Sequence, residues 1–257
     1  MGLSVAIACK NNEQTIGRTL ESVRGLADEI VAADSGSTDG TMDLLASHDA
    51  RVIETEWKGH VATKQLAIDA CSHDWVLLLD SDESLEPELR DSVARVIERG
   101  DDGLVACEMN RRVWYLGEPL RHVWQPEWRL RLFRKGRARV GGLDPHDRME
   151  LTGGGRVDRI GGILRHDSFG SIGEHFRAQA DHARSMAASL HRAGKRGSYA
   201  RLLTSPVGAF TKQMVIKGGW RDGWRGWVAS SSSAAGTLMK HAVLIELGRA
   251  EREGRAT

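Results

Sequence analysis

Two aspartates, Asp80 and Asp82, flank Ser81 directly after the apolar run 76–79. A carboxylate pair at the end of a strand can hold a hard divalent cation, directly or through water, while a substrate's phosphates fill the remaining positions. The plainer reading is an N-cap, with Asp82 or Ser84 opening the helix that begins near Pro87. A second polar cluster, Asp34-Ser35-Gly36-Ser37-Thr38-Asp39-Gly40, follows the run 29–33. Its glycines permit tight turns, and its carboxylates and hydroxyls can address a ribose or a base. An ordinary turn with Asp39 as a helix cap is the plainer reading. Lys64 falls in a helical stretch, where its ammonium either reaches a diphosphate or is simply solvated.

These groups need a frame to bring them together. Segments 3–9, 29–33, 50–54 and 75–79 read as strands, and 15–26, 41–47, 60–70 and 87–99 as helices, with Leu66 and Ala70 on one face of 60–70. Four strand–helix alternations predict an α/β fold, a parallel sheet covered on both faces. Ligands of such sheets sit at the carboxyl ends of the strands, where the polar clusters fall. Residues 104–109 read as a further strand, and 111–165 as irregular with short β pieces such as 130–133. Residues 171–195 form an amphipathic helix, and 198–250 mix helix with Trp and Gly.

Composition supports a folded core: of 257 residues, 40% are hydrophobic and 28% charged, which excludes wholesale disorder. The net charge of +1 argues against a generic nucleic-acid binder, but it hides a split. Residues 1–110 carry 9 basic and 22 acidic side chains, and residues 111–257 carry 27 and 13. An acidic half suits a cation, and a basic half suits phosphate or an anionic surface. Cys9, Cys71 and Cys107 are sparse and odd in number, as expected of reduced thiols in a cytoplasmic protein. The short apolar stretch Val5 to Cys9 lacks a basic lead-in and no run of about 20 apolar residues occurs, so neither a signal peptide nor a spanning helix is expected.

The motifs together resemble a family. Ala8-Cys9-Lys10-Asn11-Asn12-Glu13, the 34–41 cluster, Lys64 and Leu79-Asp80-Ser81-Asp82-Glu83 stand in the order and spacing of family-two inverting glycosyltransferases with a GT-A fold. Further along, Trp128-Arg129-Leu130-Arg131-Leu132-Phe133-Arg134, His146-Asp147, Leu164-Arg165-His166 and Asp222-Gly223-Trp224-Arg225-Gly226 look like the subgroup that includes the lipopolysaccharide-core β-glucosyltransferases. The resemblance runs from residue 3 to residue 248.

It implies a Rossmann-like, mostly parallel central sheet with helices on both faces, plus a C-terminal helical extension. Residues 1–110 would be the nucleotide-sugar-binding half, 111–170 the acceptor-binding half of the same domain, and 171–257 the helical region. By the resemblance, Ala8, Lys10, Asn11, Glu13, Ser35, Gly36 and Ser81 would line the donor. Asp34 would contact the nucleobase and Asp80 lie near the ribose, and Lys64 and Arg131 would counter the diphosphate's charge. Asp82 and His166 would hold Mn²⁺ or Mg²⁺. Trp128 and His146 would face the acceptor.

Asp147 would be the base, taking the proton of the attacking hydroxyl. It stands where the subgroup carries Glu, with Asp144 and Glu150 as neighbouring competitors and a structural pairing with Arg148 or Arg129 as the alternative. Asn12 stands where relatives carry Glu, and Arg129 where they often carry Gln. The implied reaction moves a hexose or heptose from a UDP- or ADP-linked donor to a saccharide, lipid-linked glycan or natural-product acceptor. Two alternatives are a degenerate binder without turnover and a sugar nucleotidyltransferase. The latter needs a Gly-rich loop where Lys10-Asn11-Asn12-Glu13 stands.

Trp220, Trp224 and Trp227, interleaved with Lys217, Arg221 and Arg225, suit a peripheral contact with the inner face of a membrane. Packing of the indoles under the main domain is the equal alternative. His175, His182 and His191 lack metal-ligand spacing and read as structural.

Overall fold

The computed structural model describes residues 1–101, 103–143 and 146–253. The chain opens with β1 (Leu3–Cys9), α1 (Ile16–Val23), β2 (Glu29–Asp34), α2 (Thr41–Ser47), β3 (Arg51–Glu54), α3 (His60–Ala70) and β4 (Trp75–Asp80). β1 and β4 are continuous apolar runs buried on both faces, as strands inside a parallel sheet must be. Alternate residues enter two cores. Val5, Ile7, Leu77 and Leu79 join the α1 side, while Ala6, Val31, Val76 and Leu78 join the α3 side. Strand order is β3-β2-β1-β4, all parallel, so the order reverses beside β1. A crevice at such a reversal, outside the carboxyl ends, is where α/β sheets bind ligands.

The remaining strands are β5 (Glu83–Leu85), β6 (Leu104–Tyr115), β7 (Glu118–Pro119), β8 (Trp128–Arg134), β9 (Ala138–Leu143), β10 (His146–Leu151) and β11 (Arg156–Phe169). The sheet continues past β4 as β8-β6-β11-β5, with β8 antiparallel to both β4 and β6. β9 and β10 form a separate antiparallel hairpin. The segment expected to be irregular is therefore largely strand. Its alternation is masked because charged residues pair across strands, Arg111 with Glu127 and Arg159 with Glu108.

Two local expectations change. The helix after β5, α4 (Pro87–Arg99), opens on proline with Glu86 before it and no side-chain cap. Ser84 pairs with Arg165 in the β5–β11 ladder. Asp82 and Ser84 are thus not caps. On α3 the buried residues are Thr63, Lys64, Ala67 and Ile68, while Leu66 and Ala70 pack at the margin. A lysine faces inward because carboxylates meet it there.

The chain divides into two compact units, one of Met1–Arg112 with Glu127–Asp167, the other of Val113–Pro126 with the chain from Ser168 onward. In the second unit α5 (Ile172–Arg192) and α6 (Tyr199–Thr211) pack along α7 (Gly223–Arg252). A π-helical turn, Lys212–Ile216, and a 3₁₀ turn, Gly219–Asp222, join α6 to α7. Gly226 is buried against the Gly219 carbonyl, leaving no room for a side chain in the first turn of α7.

His175 sits at the centre of this unit, fully buried, with Nδ1 2.8 Å from the Tyr115 hydroxyl and Nε2 3.0 Å from the Ser232 hydroxyl. Burial pushes its pKa down from 6.5 to about 4. The unfolded chain therefore takes up this proton first as pH falls. Stability from His175 is complete above pH 6.5 and is lost toward pH 4, a swing of about 3 kcal/mol. Urea midpoints measured between those limits should show His175→Gln with a shallower pH slope than the native chain. Parallel slopes would refute it.

Candidate functional site

Register brings the sequence-distant carboxylates to one sheet end. Cys9 is paired with Asp34, and Ala8 with Asp80, so the two aspartates end the strands on either side of β1. Two strand spacings separate them, about 10 Å.

Behind Asp34 the chain makes an Asx turn. Its Oδ2 accepts the N–H groups of Gly36 at 2.9 Å and Ser37 at 2.8 Å, and Gly36 takes φ +84°, a conformation natural to glycine. Asn11, at φ +54°, accepts the Thr38 N–H at 2.8 Å, and Glu13 accepts the Gly40 N–H at 2.8 Å. Asp39 accepts the N–H groups of Glu13 and Thr41, both at 3.1 Å. The loop after β1 is thereby laced to the loop after β2. Asn11, Glu13 and Asp39 serve this lacing, whereas Lys10 is exposed. Asp34, Gly36, Ser37 and Met42 line one side of an open cleft of about 450 Å³, with Glu54, Thr55 and Glu56 on the other. Ser35 is buried beside it.

Lys64 is the junction of the site. Its Nζ lies 2.5 Å from Asp80 Oδ1 and 2.8 Å from Asp147 Oδ2. Burial opposes its charge, yet Asp80 and Asp147 outweigh burial and the nearby Arg131, raising its pKa above the ordinary lysine value. The β9–β10 hairpin delivers Asp147. Gln65, the next residue of α3, accepts the Val140 N–H at 2.8 Å, and Val140 and Met149 pack against the α3 side of the core. Asp147 does not pair with Arg148 or Arg129. Asp144 and the side chain of His146 lie outside the described residues.

Asp80 Oδ2 meets Arg131 Nη2 at 2.7 Å. Burial alone would raise this carboxyl, but Arg131 and Lys64 hold it far below the usual range. Arg131 also meets the fully buried Glu83 at 2.7 Å, and Glu83 meets Arg111 at 3.2 Å. Arg111 reaches Glu127 at 2.8 Å, and Glu127 reaches Arg129 at 2.6 Å. Burial works against the Glu127 carboxylate, and Arg111 and Arg129 pull its pKa down to about 2. Eight charges thus alternate in one series: Arg129, Glu127, Arg111, Glu83, Arg131, Asp80, Lys64, Asp147. Arg111 and Glu127 carry no short motif that would have revealed them, and Glu83 closes the Asp80-Ser81-Asp82-Glu83 motif with no role assigned to it there. Apart from Arg129, two residues from Glu127, their partners in the series lie 16 to 48 residues away.

Asp82 stands apart from that series. Its Oδ2 lies 3.2 Å from His166 Nε2, and β11 holds His166 opposite Glu83 in the β5 ladder. Thr19 Oγ1 donates to the Ser81 carbonyl at 3.1 Å, fixing the turn between the two aspartates. Burial opposes a charge on His166, and Asp82 outweighs it, raising its pKa. A carboxylate oxygen and an imidazole nitrogen sharing a proton are the same donors a divalent cation would use. The fit is a two-ligand one. Asp80 is already neutralised by Lys64 and Arg131, and among the described residues no three acidic, His or Cys side chains converge. Trp128 lies on β8 under the Arg159 guanidinium, 4.8 Å from the ring centre. Cys9, Cys71 and Cys107 are free and buried, and burial pushes each thiol up to about 12.

The chain is 29% identical to an uncharacterized glycosyltransferase of Rickettsia typhi over 97% of its length and 89% of that protein's. It is likewise 29% identical to the lipopolysaccharide core biosynthesis glycosyltransferase LpsC of Rhizobium meliloti, over 95% and 92% of the two chains. Among solved structures, glucosyl-3-phosphoglycerate synthase from Mycobacterium tuberculosis, crystallised with Mn²⁺ and uridine diphosphate, aligns over 43% of this chain and 44% of that one. The identity there is 27% and the TM-score 0.37. The family model for glycosyl transferase family 2 matches residues 4–158, the span that contains β1 to β10 and all the carboxylates of the site. The chain therefore belongs to glycosyl transferase family 2, and its mixed α/β sheet is the GT-A fold.

Proposed function

We propose that this glycosyltransferase is an inverting, metal-dependent enzyme that moves a hexose or heptose from a nucleotide-sugar to a saccharide or lipid-linked glycan. The observation that carries the reading is the meeting at Lys64 of Asp80, from the sheet end, and Asp147, from the hairpin. Donor-side and acceptor-side groups are then within one side chain's reach. The likeness to a lipopolysaccharide core enzyme supports a cell-envelope glycan as acceptor.

The cleft lined by Asp34, Gly36 and Ser37 takes the nucleoside, with Ser35 and the strand end at Ala8 next to it. Asp147 accepts the proton of the acceptor hydroxyl. The hydroxyl oxygen bonds to the anomeric carbon, the bond from that carbon to the diphosphate oxygen breaks, and its electron pair leaves with the nucleoside diphosphate. Lys64, itself buried and doubly paired, holds Asp147 and Asp80 in place. Arg131 acts through Asp80, fixing its carboxylate, because its guanidinium is buried and doubly paired. Asp82 and His166 would hold Mn²⁺ or Mg²⁺, which as a Lewis acid offsets the leaving group's charge.

Thermal shift with UDP or ADP, with and without Mn²⁺, tests the reading. At a hundred times the dissociation constant, binding stabilises by about 2.7 kcal/mol. Mn²⁺ should enhance the nucleotide shift in the native chain and not in Asp82→Asn. An Mn²⁺-enhanced shift that survives in Asp82→Asn would remove Asp82 from the site. A shift without any sugar transfer would leave a binding protein.

A further inference from the structure

One face of the second unit carries unusual chemistry for a surface meant to meet water. α6 has no buried residue, and its exposed stripe presents Tyr199, Leu203 and Val207 at four-residue spacing. A surface helix ordinarily turns polar residues outward. The π turn continues the stripe with Val215 and Ile216. Trp220, Trp224 and Trp227 follow, 58%, 52% and 55% exposed. Phe210 of α6 meets Trp227 with ring centroids 5.9 Å apart, so stripe and tryptophans form one surface.

Charge is equally one-sided. Residues 182–245 contain ten Lys and Arg and a single acid, Asp222. That carboxylate is committed inward, accepting the N–H groups of Arg121, His122 and Val123, each at 2.9 Å. Arg221 and Arg225 lie over Trp220 and Trp224, 5.1 and 4.7 Å from the ring centres.

An exposed apolar surface of this extent marks an interaction site. Indoles settle at the headgroup level of a bilayer, and Lys and Arg are drawn to anionic lipid. A second copy of this face would set like charges against each other, which disfavours self-association. We infer that the face formed by α6, the two turns and the start of α7 docks on the anionic headgroup layer of a lipid bilayer. Trp220, Trp224 and Trp227 then sit among the headgroups, with Lys212, Lys217 and Arg221 toward the phosphates. Among the described residues no helix is long and apolar enough to cross a membrane. The inference stands on the second unit alone and survives any reassignment of the carboxylate site.

The test is co-sedimentation of the full chain with vesicles of phosphatidylcholine alone or with added phosphatidylglycerol. Binding is expected to the anionic vesicles at low salt, with release as the Debye length shrinks to about 3 Å near 1 M salt. Lys212→Glu with Arg221→Glu should lower the partition coefficient about tenfold or more. Trp220→Ser with Trp224→Ser should weaken it comparably, with an unchanged circular-dichroism spectrum. Brominated lipid should quench tryptophan fluorescence in the unaltered chain, and less in that serine variant. No binding to anionic vesicles at low salt would overturn the inference. So would equal binding by all variants, or a dimer that the serine substitutions dissociate without any vesicle binding.

Discussion

Asp147→Asn is expected to lower turnover by about 10²- to 10⁴-fold, the range that a positioned general base contributes. The amide matches the carboxylate in size but cannot take the acceptor's proton. Lys64 keeps its contact with Asp80 at 2.5 Å, so its charge stays paired and the sheet end keeps its shape. Nucleotide binding, read by thermal shift, should therefore hold while sugar transfer fails. Saturating acceptor should not restore the rate, because the loss is in the chemical step. Unchanged turnover would pass the role to Glu150 or Asp144. Loss of nucleotide binding instead would assign Asp147 to the donor.

Glu83→Ala is expected to cost about 3–5 kcal/mol of folding stability, the penalty for removing one partner from a buried ion group. Glu83 is fully buried and meets both Arg131 and Arg111, while its Oε2 accepts the Asp80 N–H at 3.2 Å. Truncation leaves two buried guanidiniums short of an anion and frees the turn that carries Asp80. Against a typical total of about 5–15 kcal/mol, such a loss would markedly deplete folded protein at 37 °C. Glu83→Gln retains an acceptor for the Asp80 N–H and should recover part of the loss. Urea midpoints compare the three chains, and a change below about 1 kcal/mol for Glu83→Ala would show that the series is not a structural support.

The parallel half of the fold was legible because each strand there is an apolar run and each helix a short periodic stretch. Asp34 and Asp80 could be placed at one sheet end from strand order alone. The antiparallel half was legible only in pieces, 104–109 within β6 and 130–133 within β8. Arg111, Glu127, Arg159 and Glu108 interrupt the alternation, and the first two are reconciled with burial only by meeting each other across 16 residues. Lys64 shows the same limit. As a single residue on a helix it reads as solvated, and nothing local tells that Asp147, 83 residues on, will meet it. The tryptophans near the C-terminus were undecided between core and surface, because spacing alone does not say which side of a helix is covered. Their exposure resolves that point.

The eight alternating charges also restrict how this sequence can drift. Replacing one interior member leaves an excess of one sign where water cannot disperse it, so tolerated change has to arrive in opposite-signed couples such as Arg131 with Glu83. Positions far apart in the chain are thereby bound into one inherited block. Change through that block is slow, whereas exposed positions outside it can vary one residue at a time.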